Sequence, residues 1–98
     1  MAHIINELNK AFENRIRLGI MSILMVNEAV SYKHLKETLG VTDGNLASHL
    51  KALEKVDFIV VLKSFVDRKP HTTYSVSAIG KKAFKKHLDV LENLIKGK

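Results

Sequence analysis

The stretch Val41-Thr42-Asp43-Gly44-Asn45-Leu46-Ala47-Ser48-His49-Leu50-Lys51-Ala52-Leu53-Glu54 carries a helix with one narrow apolar stripe and a small polar outer face. At about 100° per residue, Leu46, Leu50 and Leu53 fall within roughly 40° of one another. Gly44, Ser48, Lys51 and Lys55 fall opposite, flanked by Asn45 and Ala52. Thr42 is a suitable N-cap, although Asn45 stands where Glu or Gln would complete a capping box. Upstream, Ser31 caps a second short helix, Tyr32, Leu35 and Leu39 line its inner face, and Gly40 closes it. The few residues between Leu39 and Thr42 predict a helix-turn-helix.

Working outward, Phe58 to Val66 is too rich in β-branched residues for a surface helix, and Thr72 to Val76 alternates in the same style. The two runs predict a hairpin with a five-residue tip, Asp67-Arg68-Lys69-Pro70-His71, which Pro70 stiffens without interrupting a strand. Ser77 caps a final helix whose apolar face holds Ile79, Ala83, Phe84, Leu88, Leu91, Leu94 and Ile95. At the other end, Ile4, Ile5, Leu8, Ala11 and Phe12 have helical spacing, and Ile16, Ile20, Ile23, Leu24 and Val26 continue it. They predict two helices or one bent helix. Residues 1–98 are therefore expected to form a single α+β domain, mostly helical: a winged helix-turn-helix with a two-stranded hairpin wing and N- and C-terminal helices.

The net charge of +6 is informative once it is located. Basic and acidic residues cancel over residues 1–57 and again over 88–98, so the excess lies between Phe58 and His87. There Lys63, Arg68, Lys69, Lys81, Lys82, Lys85 and Lys86 face only Asp67. Such asymmetry marks a surface for a polyanion. The alternative for Lys81 to Lys86 is a solvated helix face.

On the outer face of the Thr42 helix, Asn45 can bond an adenine edge, Ser48 a base or phosphate, and Ala52 a thymine methyl. Thr42, Asp43 and the first-turn amides stand where a helix N-terminus meets a phosphate. Gly44 is unfavourable in a helix by roughly 1 kcal/mol relative to Ala, which suggests close approach of another molecule. Lys51 and Lys55 add weak positive charge. At the hairpin, Lys63, Arg68, Lys69 and His71 supply cations or donors for a minor groove, with Asp67 expected to hold one of them by a charge-assisted bond. Taken singly, Asn45 and Ser48 read as ordinary solvent-facing residues and His49 as a packing or backbone-bonding histidine. The order of the elements, helix, turn, helix, hairpin and cationic tip, gives them a common role on double-stranded DNA.

Nothing points to catalysis: no nucleophile stands near a base at suggestive spacing and no glycine-rich loop could cradle phosphate. His3, His34, His49, His71 and His87 are scattered, with no cysteine and no i, i+4 pair, so no metal or other cofactor is expected. The longest apolar run, Leu18 to Val26, is too short for a membrane span and too deep in the chain for a signal peptide.

These residues resemble the short stand-alone winged helix-turn-helix regulators of archaea and bacteria, related to the ArsR and MarR groups. The resemblance runs from Asn14-Arg15-Ile16-Arg17-Leu18-Gly19-Ile20 to the last helix. Its most specific pieces are Thr42 to Leu46 with Ser48-His49-Leu50, then Lys63-Ser64-Phe65, Lys69-Pro70-His71-Thr72, Tyr74 to Ser77, and Gly80. It implies a cytoplasmic transcriptional regulator acting on a near-palindromic operator. The helix near Thr42 would enter the major groove, and the first and last helices would form a two-fold dimer. Ile4, Ile5, Leu8, Phe12, Phe84, Leu88, Leu91, Leu94 and Ile95 are the candidate dimer contacts. The chain departs from the family where Asp57 and Asp67 replace common glycines and His71 a common arginine. His87 and Asp89 do not reproduce the metal-sensing spacing of the ArsR group, and no polar cluster marks an effector pocket. The rival role is a protein-interaction or architectural module whose Lys81 to Lys86 face meets an acidic partner.

Overall fold

The computed structural model describes residues 3–97. Helix α1 spans Arg15–Met25, followed by strand β1, Val30–Ser31, helix α2, Tyr32–Leu39, and helix α3, Asp43–Lys55. Strands β2, Ile59–Val66, and β3, Lys69–Val76, lead into helix α4, Ala78–Ile95. The predicted caps form: Ser31 accepts from the His34 amide, Thr42 from Asn45 and Ser77 from Gly80. Gly40 ends α2 in the left-handed conformation at φ 63°. Asp57 adopts φ 61° after α3, so an aspartate does take the turn where a glycine is common.

The expected N-terminal helix is absent. Ile4–Glu7 and Lys10–Phe12 form two short 3₁₀ turns separated by extended backbone at Leu8 and Asn9. Local polar competition explains the break. The Asn9 side chain caps the second turn through the Ala11 amide at 2.9 Å, and its own amide donates to His87 Nδ1 at 3.0 Å. Asn14 starts α1 in the same way, accepting from Ile16 and Arg17.

The sheet has three strands rather than two, in the order β1-β3-β2, all antiparallel. β1 contributes only Val30 opposite Tyr74 and Ser31 opposite Thr73, too few residues to show alternation in the sequence. The hairpin tip is also tighter than expected. Val66 pairs with Lys69, so only Asp67 and Arg68 turn, at φ 52° and 67°. Two successive left-handed residues are the mark of a type I′ turn, whose twist matches the strands it joins. Pro70 consequently lies in β3, opposite Phe65. That pair is next to the closing pair and is not hydrogen-bonded to β2, so the missing N–H breaks no rung, and β1 does not reach this far.

Leu46, Leu50 and Leu53 of α3 pack with Ile20, Met21 and Leu24 of α1, Leu35 of α2 and Ile59 of β2. Phe12 extends this core toward α4, with its ring 5.0 Å from Phe84 in a T-shaped contact and 5.3 Å from Phe58 in a stacked one. Phe12 and Phe84, expected as dimer contacts, are thus enclosed within the chain, both 2% exposed. Gly80 lets α4 meet the backbone of β2's approach: a Cβ there would overlap the Phe58 carbonyl oxygen.

Candidate nucleic-acid interface

α3 presents its polar face away from the core. Gly44, Asn45, Ser48, Lys51, Ala52 and Lys55 are all exposed. Among the described residues, the side chains of Asn45, Ser48, Lys51 and Lys55 form no hydrogen bond or ion pair within the chain. A Cβ added at Gly44 would meet nothing within 4 Å, so the fold itself places no demand for glycine there.

Asp43 has a different place from its neighbours. Its carboxylate accepts from Tyr32 Oη at 3.1 Å and Lys36 Nζ at 3.0 Å, tying α2 to the first turn of α3. Those two partners hold its carboxyl below the usual carboxylate range, first through Lys36 and then Tyr32. Burial and the adjoining Asp43 push the Tyr32 hydroxyl up in turn. Asp43 therefore fixes the angle between the two helices, while Thr42 caps α3 through its Oγ1 at 3.2 Å.

On one flank, α3 and the wing enclose a groove of about 550 Å³. Ala47, Lys51 and Glu54 line it from the helix, Val61, Lys63 and Tyr74 from the strands, and Tyr32 from α2. Lys51 and Lys63 are thereby brought to one opening. Burial is the main reason the Tyr74 hydroxyl is raised, with smaller contributions from Tyr32 and Glu54. On the other flank, the Arg17 guanidinium donates to His49 Nδ1 at 3.0 Å and to the Ala11 carbonyl at 2.6 Å. His49 is neither a backbone-bonding nor a purely packing residue. Its imidazole is held below its ordinary value by burial and then by Arg17.

At the wing, Lys63, Arg68 and Lys69 are exposed and His71 is half-buried, with its carbonyl accepting from Ser64. The expected bond from Asp67 to a neighbouring cation does not form among the described residues, and both Asp67 and Arg68 take left-handed turn conformations. Arg68 occupies a left-handed position that costs a non-glycine residue about 1–2 kcal/mol. Tyr32, Lys36, Tyr74 and Arg17 were not foreseen as supports of this face. Arg17 alone left a signal, as a charge inside the apolar period running from Ile16 to Ile20.

A helix-turn-helix joined to a hairpin with exposed cations defines a winged-helix DNA-binding protein. The chain belongs to the winged helix DNA-binding domain family, whose model matches residues 16–95. An uncharacterised protein of Methanocaldococcus jannaschii is 35% identical over 79 residues, 81% of this chain and 86% of that protein. A transcriptional regulator homologue from Pyrococcus horikoshii OT3 is 30% identical, with a TM-score of 0.88 over 96% of this chain and 95% of its own. A MarR-family structure from Porphyromonas gingivalis W83 shares the fold at a TM-score of 0.69 and 20% identity, covering 91% of this chain and 86% of that one. The family and fold are those of DNA-binding transcription regulators rather than enzymes. Among the described residues, no helix is long and apolar enough to cross a membrane.

Proposed function

We propose that the chain is a homodimeric, sequence-specific transcription regulator, with α3 in the major groove and the β2–β3 wing on the flanking minor groove. The observation that carries this reading is the outer face of α3, where Asn45, Ser48, Lys51 and Lys55 are exposed without side-chain partners among the described residues, beside an unneeded Gly44. Thr42 and the first-turn amides meet a phosphate, and Lys63, Arg68, Lys69 and His71 hold the adjoining backbone. Asp43 acts by positioning α3 rather than by touching DNA, since a carboxylate repels phosphate.

Dimerisation accounts for the apolar surface left outside. A compact folded chain of this mass exposes about 5,600 Å², whereas this one exposes 7026 Å². Leu88, Leu91, Leu94 and Ile95 form an exposed stripe on α4, and Ile5 stands exposed on the 3₁₀ turn that packs against α4. With Ile4 and Leu8 they make the two-fold contact, without Phe12 and Phe84. Such a dimer sets two α3 helices toward successive major grooves about 34 Å apart.

Binding to duplex DNA, measured across salt concentrations, tests the reading. Affinity falls steeply with salt, and Arg68→Ala/Lys69→Ala weakens it and flattens the slope by about two for each protomer, hence about four for the dimer. Salt-independent affinity in the parent protein contradicts it. If the double variant binds an acidic protein partner unchanged and neither protein binds DNA, the exposed Lys81 to Lys86 face becomes the working surface.

A further inference from the structure

We propose that Phe65 is an apolar DNA contact of the wing, a ring that, backed by Pro70, wedges against the minor-groove base edges and bends the duplex. The proposal rests on the DNA-binding reading. Phe65 is 76% exposed, whereas Phe12, Phe58 and Phe84 join the core. The face it occupies is set by strand alternation. Ile59 starts that face in the core, Val61 and Lys63 line the groove beside α3, and Phe65 is next along it. Its ring therefore stands on the side of the ribbon that carries Lys63 and looks toward α3. The Phe65–Pro70 register leaves a rigid apolar pair one rung from the two-residue tip.

The charge around this pair selects its occupant. Lys63 shares its face, Arg68 sits at the tip and Lys69 follows on the other face, three cations against one acid, Asp67; this excess of positive charge repels the same patch of a second copy and attracts a polyanion. Duplex DNA offers phosphates to the cations and also sugar edges and base steps to the ring, and apolar side chains inserted at such steps unstack and kink them. An acidic protein surface satisfies only the cations. The other exposed apolar residues of β2, Val60, Leu62 and Val66, lie on the opposite face of the ribbon and are not part of this contact.

The chain has no tryptophan, so Phe65→Trp supplies a single fluorescent reporter at the proposed contact. The parent protein, Phe65→Ala, Phe65→Leu and Phe65→Trp are titrated with a random-sequence duplex and with a selected binding site, each carrying a dye pair at its ends. The expected result is a bend with the parent protein, partly retained by Phe65→Leu and lost in Phe65→Ala. Phe65→Ala loses on the order of tenfold in affinity with an unchanged salt slope, and the indole emission of the Phe65→Trp protein is quenched by DNA. Parental affinity and bend in Phe65→Ala, with that emission indifferent to DNA, overturn the wedge and leave the DNA-binding reading standing. Emission that shifts to the blue with protein concentration alone assigns Phe65 to a second copy and overturns it as well. If the parent protein shows no salt-dependent duplex binding, the reading beneath the wedge falls, and the wedge with it.

Discussion

Arg17 of α1 donates a hydrogen bond to His49 of α3 at 3.0 Å and another to the Ala11 carbonyl, joining the N-terminal segment to the helix proposed to face DNA. The imidazole must stay neutral to accept it, because Arg17 always donates. Burial and Arg17 lower the folded-state value beneath the ordinary 6.5. The sign follows: the contribution is complete above about 6.5 and is lost as pH falls through the lowered folded value. Urea midpoints should therefore decline as pH falls from about 6.5 through the lowered folded value, and His49→Gln should remove part of the decline. An identical pH profile in His49→Gln contradicts the role given to this bond.

Gly44→Ala separates stability from binding. The added methyl meets nothing within 4 Å and improves helix propensity, so thermal unfolding shifts upward by up to about 1 kcal/mol. DNA affinity should fall in the same variant, because the space it fills is the space proposed for the duplex. Equal or tighter binding would remove Gly44 from the interface.

Arg68→Gly makes the same separation at the wing. Glycine relieves the left-handed turn position, and unfolding should shift upward by about 1 kcal/mol. The salt slope of DNA binding should fall by about one for each protomer, hence about two for the dimer. An unchanged slope would mean that the guanidinium touches no phosphate.

Gly80→Ala should instead destabilise the fold by more than about 1–3 kcal/mol, since its methyl overlaps the Phe58 carbonyl rather than a movable side chain. Denaturant midpoints check this, and a neutral result would show that α4 can pivot away from Phe58.

Leu91→Glu places a charge in the exposed stripe of α4 without touching the core. Sedimentation should show a shift from dimer toward monomer, accompanied by weaker DNA binding but a native circular dichroism spectrum. A monomeric parent protein would contradict the assembly outright.

How much of this was legible depended on how local the determining physics was. Caps at Ser31, Thr42 and Ser77, and the stripe Leu46, Leu50 and Leu53, are set within one helical turn and could be read directly. Apolar spacing misled over Ile4 to Phe12, because Asn9 and its bond to His87, far away in the chain, decide against a helix. The same spacing misassigned Phe12 and Phe84, since periodicity marks an apolar face without saying whether it is covered within the chain or by a second copy. Pro70 misled over the tip, as only the cross-strand register shows that its missing donor faces outward. The outer residues of α3 were legible; their supports Tyr32, Lys36 and Arg17 were not, because long-range polar contacts leave no period.

The most direct test of the account is selection of duplexes from a randomised pool by the purified protein, followed by sequencing of the bound fraction. A dimer that reads successive grooves should select a two-fold-symmetric motif with half-sites about one helical turn apart, lost when Asn45 and Ser48 are replaced together by Ala. Recovery of no motif, or of one that the Asn45→Ala/Ser48→Ala protein selects equally well, would contradict the claim that α3 reads DNA.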